Sequence, residues 1–193
     1  MARPRTHDDA LRARLLEVAS RSVSTGGEQS TTVRSVASAA GTSPSAVYAL
    51  FGSRDDLLAE VSAEGFRRFA AHLDAAPRTD DPVADLRALG AAYRNFALAD
   101  PHFYRAMFDR ALRPGDDAPP PVRQPTFVVL RDAVARVLGT TGDGAEPAAV
   151  GLWGMVHGLV SLELGGLLPG EEPDRAARYA AATGAVGQAL LAP

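Results

Sequence analysis

The chain has 193 residues, 20 basic against 23 acidic side chains, four His and no Cys, for a formal net charge of −3. At 46% apolar and 22% charged it is composed like an ordinary globular protein, long enough to bury about 70% of its unfolded surface in one or two domains. The missing Cys excludes disulfide scaffolds, zinc knuckles, iron–sulfur ligation and thiol nucleophiles. No consecutive apolar run approaches the roughly 18 residues of a membrane span. The opening, MARPRTHDDALRARLL, puts acids and Arg where a signal peptide needs an apolar stretch. The expectation is a cytoplasmic chain with no membrane partner.

Start and stop signals predict an all-α fold of about nine helices, since nothing sustains the period-2 alternation of a strand. The first covers 7–24, with Leu11, Leu15, Val18 and Ala19 on one face, and stops at Gly26-Gly27. Short helices over 32–40 and 43–51 end at Gly41 and Gly52. Ser53-Arg54-Asp55-Asp56 is a capping box that opens a fourth helix carrying Leu57, Leu58, Val61 and Leu73 before Pro77. Asp81-Pro82 and Asp100-Pro101 each pair an N-cap with Pro at the first helical position, opening a fifth and a sixth. Residues 113–123, RPGDDAPPPVR, are irregular. Helices over 124–138, 147–168 and 174–191 follow, and the chain has no internal repeat.

Charge is unevenly spread. Residues 1–54 hold seven Arg against four acids, whereas residues 55–193 hold thirteen Arg against nineteen acids. A basic head on an acidic body is the layout of a nucleic-acid reader with a separate effector part. The boundary is accordingly placed at 54, with a head over 1–54 and a body over 55–193. The absence of Lys and Ile reads as codon bias and carries no chemistry.

Residues 32–57, TVRSVASAAGTSPSAVYALFGSRDDL, are the most informative stretch. Two short helices crossing around a tight turn need a small contact residue, a turn residue that tolerates positive φ, and apolar residues sealing both helices. Ala37 supplies the contact and Gly41 the turn, while Val36, Ala40, Val47 and Leu50 supply the seal. The stretch is a helix-turn-helix. It closely resembles the DNA-binding head of TetR-type repressors: the Ala-Gly turn, the Val-Tyr pair ending the third helix, the following Phe, and a basic residue opening the fourth helix before Leu-Leu all agree.

The resemblance implies a homodimer with a three-helix head, a helical ligand-binding and dimerisation body, and a palindromic duplex operator as partner. The third helix would lie in the major groove. Its inward residues Val47, Leu50 and Phe51 leave Pro44, Ser45, Ala46, Tyr48 and Ala49 toward DNA. By resemblance Tyr48 and Arg54 anchor phosphates, and Arg34 reaches a base edge or phosphate. Thr32 caps its helix beside the backbone, and Arg3 and Arg5 form an arm. This reader is poor in Arg, Asn and Gln, so methyl contacts and duplex shape carry more of the recognition than usual.

In the body, residues 148–168 are apolar on every side, AAVGLWGMVHGLVSLELGGLL. Gly151, Gly154, Gly158, Ser161 and Gly165 share one stripe, although each mid-helix Gly costs about 1 kcal/mol relative to Ala. The last helix has its own small surface at Ala180, Gly184 and Gly187. Together these faces suit a dimer bundle of two helices from each subunit, the arrangement the resemblance also implies. Trp153 and His157 stack four apart on the same helix. With Phe66, Phe69, Tyr93, Phe96, Phe103, Met107 and Phe127 they form an inventory for an apolar or aromatic effector with few polar anchors. The same residues also suit an ordinary core, and His157 is open between pocket and core.

An enzyme is excluded on inventory: no Cys or Lys, four scattered His, and no Gly-x-Ser-x-Gly or phosphate-binding Gly loop. No catalytic residue, metal or cofactor is expected. Two readings stay open, a repressor released by a hydrophobic small molecule and a DNA-binding regulator whose body engages a protein partner and binds no ligand.

Overall fold

The computed structural model describes residues 5–111 and 121–191; Arg3 and most of the expected irregular segment lie outside them. Among the described residues the chain is all helical. It forms α1 (Arg5–Gly26), a 3₁₀ turn (Glu28–Ser30), α2 (Val33–Ala39), α3 (Pro44–Phe51), α4 (Arg54–Asp74), α5 (Pro82–Ala99) and α6 (Pro101–Ala111). After a second 3₁₀ turn (Pro121–Arg123) come α7 (Pro125–Leu138), α8 (Gly142–Leu164) and α9 (Glu172–Leu191). Two compact units result: residues 5–67 with 102–111, and residues 68–101 with 121–191.

The first unit closes over one core. Leu11, Leu15, Leu16, Ala19 and Val23 of α1 meet Val33, Val36 and Ala37 of α2, Val47 and Phe51 of α3, and Leu57, Leu58 and Val61 of α4. Phe103 and Ala106 of α6 join them. α6 approaches α4 closely at Gly65, where a Cβ would stand 3.0 Å from Met107 Cβ and 3.2 Å from the Phe103 carbonyl. Polar contacts fasten the same helix: Ser24 Oγ lies 2.5 Å from His102 Nδ1, and Arg110 lies 3.5 Å from the buried carboxylate of Glu28. A single residue, Asp100, separates α5 from α6. It caps α5 and precedes Pro101, which has no N–H to continue the ladder.

The second unit packs α5, α7, α8 and α9, with Phe127, Val134 and Ala135 of α7 against Ala145, Ala149 and Leu152 of α8. Two buried charges are fully paired, as the low-dielectric interior requires. Asp85 accepts from the Thr79 amide at 2.9 Å, from the Thr79 hydroxyl at 2.8 Å and from Arg136 at 2.9 Å; the backbone bond from Thr79 does most to hold its carboxyl below the usual range. Arg94 forks onto Glu163 at 2.8 and 2.6 Å and reaches Glu172 at 3.2 Å, and Arg175 adds a contact to Glu163 at 3.3 Å. Hydrogen bonding to Arg94 lowers the Glu163 pKa, and the same bond raises that of Arg94. The network ties α5 to α8 and α9, and Tyr179 adds a bond from its hydroxyl to the Gly90 carbonyl at 2.7 Å.

Two sequence expectations change for α8. It begins at Gly142 and carries Pro147 inside, because Ala145 and Ala149 on either side are fully buried and hold the turn despite the missing amide. It ends at Leu164, four residues early: the amides of Gly166 and Leu167 return to the Glu163 and Leu162 carbonyls, both at 3.0 Å, so Gly165 is a cap and not a stripe member inside the helix. α8 is also long and apolar enough to cross a membrane by length and composition alone, a test that the core helix of a soluble protein passes as well.

Candidate nucleic-acid interface

The α2–turn–α3 element is locally over-determined. Thr32 caps α2 by accepting from the Ser35 amide, and the Ser35 hydroxyl accepts from the Thr32 amide, both at 3.1 Å: a capping box with Ser where Glu is usual. At the far end Gly41 has φ +65°, and the amides of Gly41 and Thr42 return to the Ser38 and Ala37 carbonyls at 3.1 and 2.9 Å. A Cβ at Gly41 would meet nothing within 4 Å, so glycine is required there by backbone conformation and not by space. Ser43 then caps α3, accepting from the Ala46 amide at 3.3 Å, with Pro44 at the first helical position.

Burial sorts the two faces. Val36, Ala37, Ala40, Val47 and Phe51 are buried, and Leu50 packs partly beneath them. On the opposite side Thr32, Arg34, Pro44, Ser45, Tyr48 and Ala49 are exposed, while Ala46 is half-buried against the core. Tyr48, 52% exposed, is the one large apolar side chain left open among the described residues of this unit. An exposed ring bearing a hydroxyl, and an exposed arginine on the other helix of the same element, suit a charged and grooved partner.

Arg54 is placed differently from its expected phosphate role. Its guanidinium turns into the protein, donating from Nε to the Thr31 carbonyl at 2.7 Å and from Nη2 to the Glu28 carbonyl. Sequence reasoning also passed over Arg12, which pairs with Glu60 at 2.8 Å, donates to the Leu50 carbonyl at 3.4 Å and sits 4.8 Å from the Phe51 ring centre. It fastens the end of α3 to α1 and α4. Of the basic side chains counted toward the head, Arg12 and Arg54 are therefore occupied in the fold. Nothing in their sequence spacing separated them from Arg34. Arg5 is the first residue of α1.

The expected effector residues divide between the units. Phe66, Phe103 and Met107 belong to the first, where Phe66 meets Phe108 edge-on and Phe103 and Met107 are fully buried. The second holds Phe69, Tyr93, Phe96, Phe127, Trp153 and His157. There Phe69 stacks on Phe96 and meets Tyr93 edge-on, and Phe127 meets Trp153. The Tyr93 hydroxyl lies 3.0 Å from His157 Nδ1, and both Trp153 and His157 are half-buried.

Of the residues expected at a dimer interface, Gly154, Ser161 and Ala180 are exposed and Gly158, Gly184 and Gly187 half-exposed. A Cβ at Gly154, Gly158, Gly184 or Gly187 would meet nothing within 4 Å, whereas one at Gly151 would meet Leu190 of α9 at 3.3 Å. Val150 and Leu162 on α8, and Val186 and Leu190 on α9, are large apolar residues left exposed.

Residues 15–61 match the family of bacterial regulatory proteins described as tetR, and residues 86–186 match the tetracyclin repressor-like C-terminal domain. No curated protein matches the chain. Among solved structures it is similar to the regulatory protein SCO4313, at 26% identity and a TM-score of 0.72 over 100% of both chains. It is likewise similar to a Rhodococcus sp. RHA1 protein of unknown function, at 27% identity and 0.71 over 94% of this chain and 93% of that one. A TetR family transcription regulator from Marinobacter aquaeolei VT8 shares the fold, at 21% identity and 0.71 over 94% and 98%.

Proposed function

The chain belongs to the TetR family and is a DNA-binding transcription regulator, not an enzyme, and from that premise we propose a homodimeric repressor that reads a palindromic operator and is released by an apolar or aromatic small molecule. The observation that carries the DNA face is the exposed set Thr32, Arg34, Pro44, Ser45, Tyr48 and Ala49 on a helix-turn-helix whose other face is sealed. Two copies of α3 set one helical turn apart, about 34–36 Å, would meet successive major grooves. The small-residue and exposed apolar surfaces of α8 and α9 support a second copy of this chain as the dimer partner.

Gel-shift titration on a palindrome selected from random duplexes tests the DNA face. Tyr48→Phe is expected to weaken binding about tenfold through one lost bond to a charged phosphate. Arg34→Ala is expected to reduce the salt slope by about one, or to relax preference at one base pair if the side chain touches a base edge. Unchanged binding in both variants overturns the assignment.

The effector reading rests on the half-buried Trp153 and His157 beside Tyr93. Trp153 is the only tryptophan, so an aromatic ligand is expected to change its emission and to release the operator with the same midpoint, because binding and release are linked. His157→Phe should leave operator binding intact and weaken that response. A screen in which no compound moves both signals favours the alternative, a body that engages a protein partner.

A further inference from the structure

The open face of the helix-turn-helix is chemically narrow. Residues 32–51 contain one Arg and no Lys, Asn, Gln, His, Asp or Glu. A single side chain of the element, Arg34, can therefore grip a purine edge bidentately, and it stands on α2. On α3 the exposed residues are Pro44, Ser45, Tyr48 and Ala49. With about 100° per residue, Ser45 and Ala49 each lie about 160° from the fully buried Val47, at the centre of the open face. The Ser45 hydroxyl is 2.9 Å from Ser43 Oγ, which accepts from the Ala46 amide as the cap of α3. It is thereby tied into the cap. Ala49 presents a bare methyl, and the Pro44 ring adds methylenes at the start of the helix. Among base edges in the major groove, the C5 methyl of thymine is the apolar group on which such a face packs.

We propose that α3 reads the operator through thymine methyl groups, packed on Ala49 and Pro44, and makes no bidentate hydrogen bonds to a purine. The inference rests on the DNA-binding reading above. Recognition of this kind follows the methyl and not the pairing edge. It weakens when thymine loses its methyl as uracil, and it favours 5-methylcytosine over cytosine at the same position. Burial of one methyl is worth about fourfold in affinity. Readout by hydrogen bonds responds differently, since uracil keeps every donor and acceptor of thymine.

The test uses the full chain and gel-shift titration on the selected palindrome, at one fixed salt concentration. Each thymine of one half-site is replaced in turn by uracil, which keeps the pairing and removes only the methyl. At one or two positions the affinity is expected to fall about fourfold. Cytosine at the same place, with guanine opposite, is expected to bind more weakly still, and 5-methylcytosine to bind about fourfold better than cytosine. Ala49→Gly and Pro44→Ala locate the contact. At each sensitive position one of them is expected to shrink the uracil penalty to less than about twofold, because the methyl has lost its neighbour. A loss of folding or of general affinity acts on both duplexes alike and cancels from that ratio. Four results each overturn the proposal while specific binding stands: a half-site without thymine, an affinity that no uracil changes, a uracil penalty that both variants keep, and 5-methylcytosine bound no better than cytosine. A parent that binds no duplex is a separate result, which removes the DNA-binding reading and the methyl readout with it.

Discussion

Replacing Arg94 with leucine is expected to lower the unfolding free energy by about 3 kcal/mol, in keeping with the removal of one partner from a buried ion pair. Arg94 and Glu163 side chains are 7% and 4% exposed, and the truncation leaves Glu163 inside with only Arg175, itself 31% exposed and reaching at 3.3 Å. The carboxylate then has to protonate or draw in water. Urea titration at fixed protein concentration measures the loss, because association shifts apparent stability. The double variant Arg94→Leu with Glu163→Leu is expected to recover most of it, since replacing both charges with apolar groups removes the desolvation penalty together with the attraction. A double variant as unstable as the single one contradicts this account.

The same pair sets a pH dependence of definite sign. The Glu163 pKa is lowered in the folded chain by its bonds to Arg94, so the stability it contributes is present above the unfolded carboxyl value and is lost as pH falls through the folded one. Arg94 is raised from a value already far above neutrality and adds no slope near pH 7. Glu163→Gln is therefore expected to flatten the acid limb of the stability curve below about pH 4.5.

Much of the first unit was legible because its signals are local. Gly41, the Ser43-Pro44 pair and Ser53 with Asp56 each prescribe a backbone conformation within four residues, and apolar spacing then decides which face is sealed. What escaped was long-range. Arg34 and Arg54 look alike as residues, yet one is exposed and the other bonds carbonyls 23 and 26 residues away. The buried network around Glu163 escaped for the same reason, since Arg94 is 69 residues distant in sequence. For α8 the sequence showed Pro147 and implied a start there, and only the burial of Ala145 and Ala149 against α7 explains why the helix continues through it.

Gly158→Leu is expected to convert a dimer into a monomer while leaving the isolated subunit folded, and the two effects have opposite signs. Within one chain a Cβ at Gly158 meets nothing within 4 Å, so a larger side chain has room. Removing a mid-helix glycine favours the helix by up to about 1 kcal/mol. Between chains the situation reverses. With about 100° per residue, Val150, Ser161, Gly154, Gly158 and Leu162 occupy one continuous arc of α8, opposite the buried Leu152, Val156 and Val160. If a second copy lays its own α8 and α9 on that arc, leucine holds the helices apart, and overpacking of this kind costs about 1–3 kcal/mol. Operator affinity should fall with dimerisation, because a single head meets only one half-site. Sedimentation equilibrium of parent and variant, together with gel shifts on the palindrome, separates the outcomes. A parent that is monomeric at the concentrations where it binds the operator excludes the bundle. A variant that melts higher, stays dimeric and binds the operator as the parent does would place the second copy on another surface, and the exposed Val150, Leu162, Val186 and Leu190 would then need a different cover.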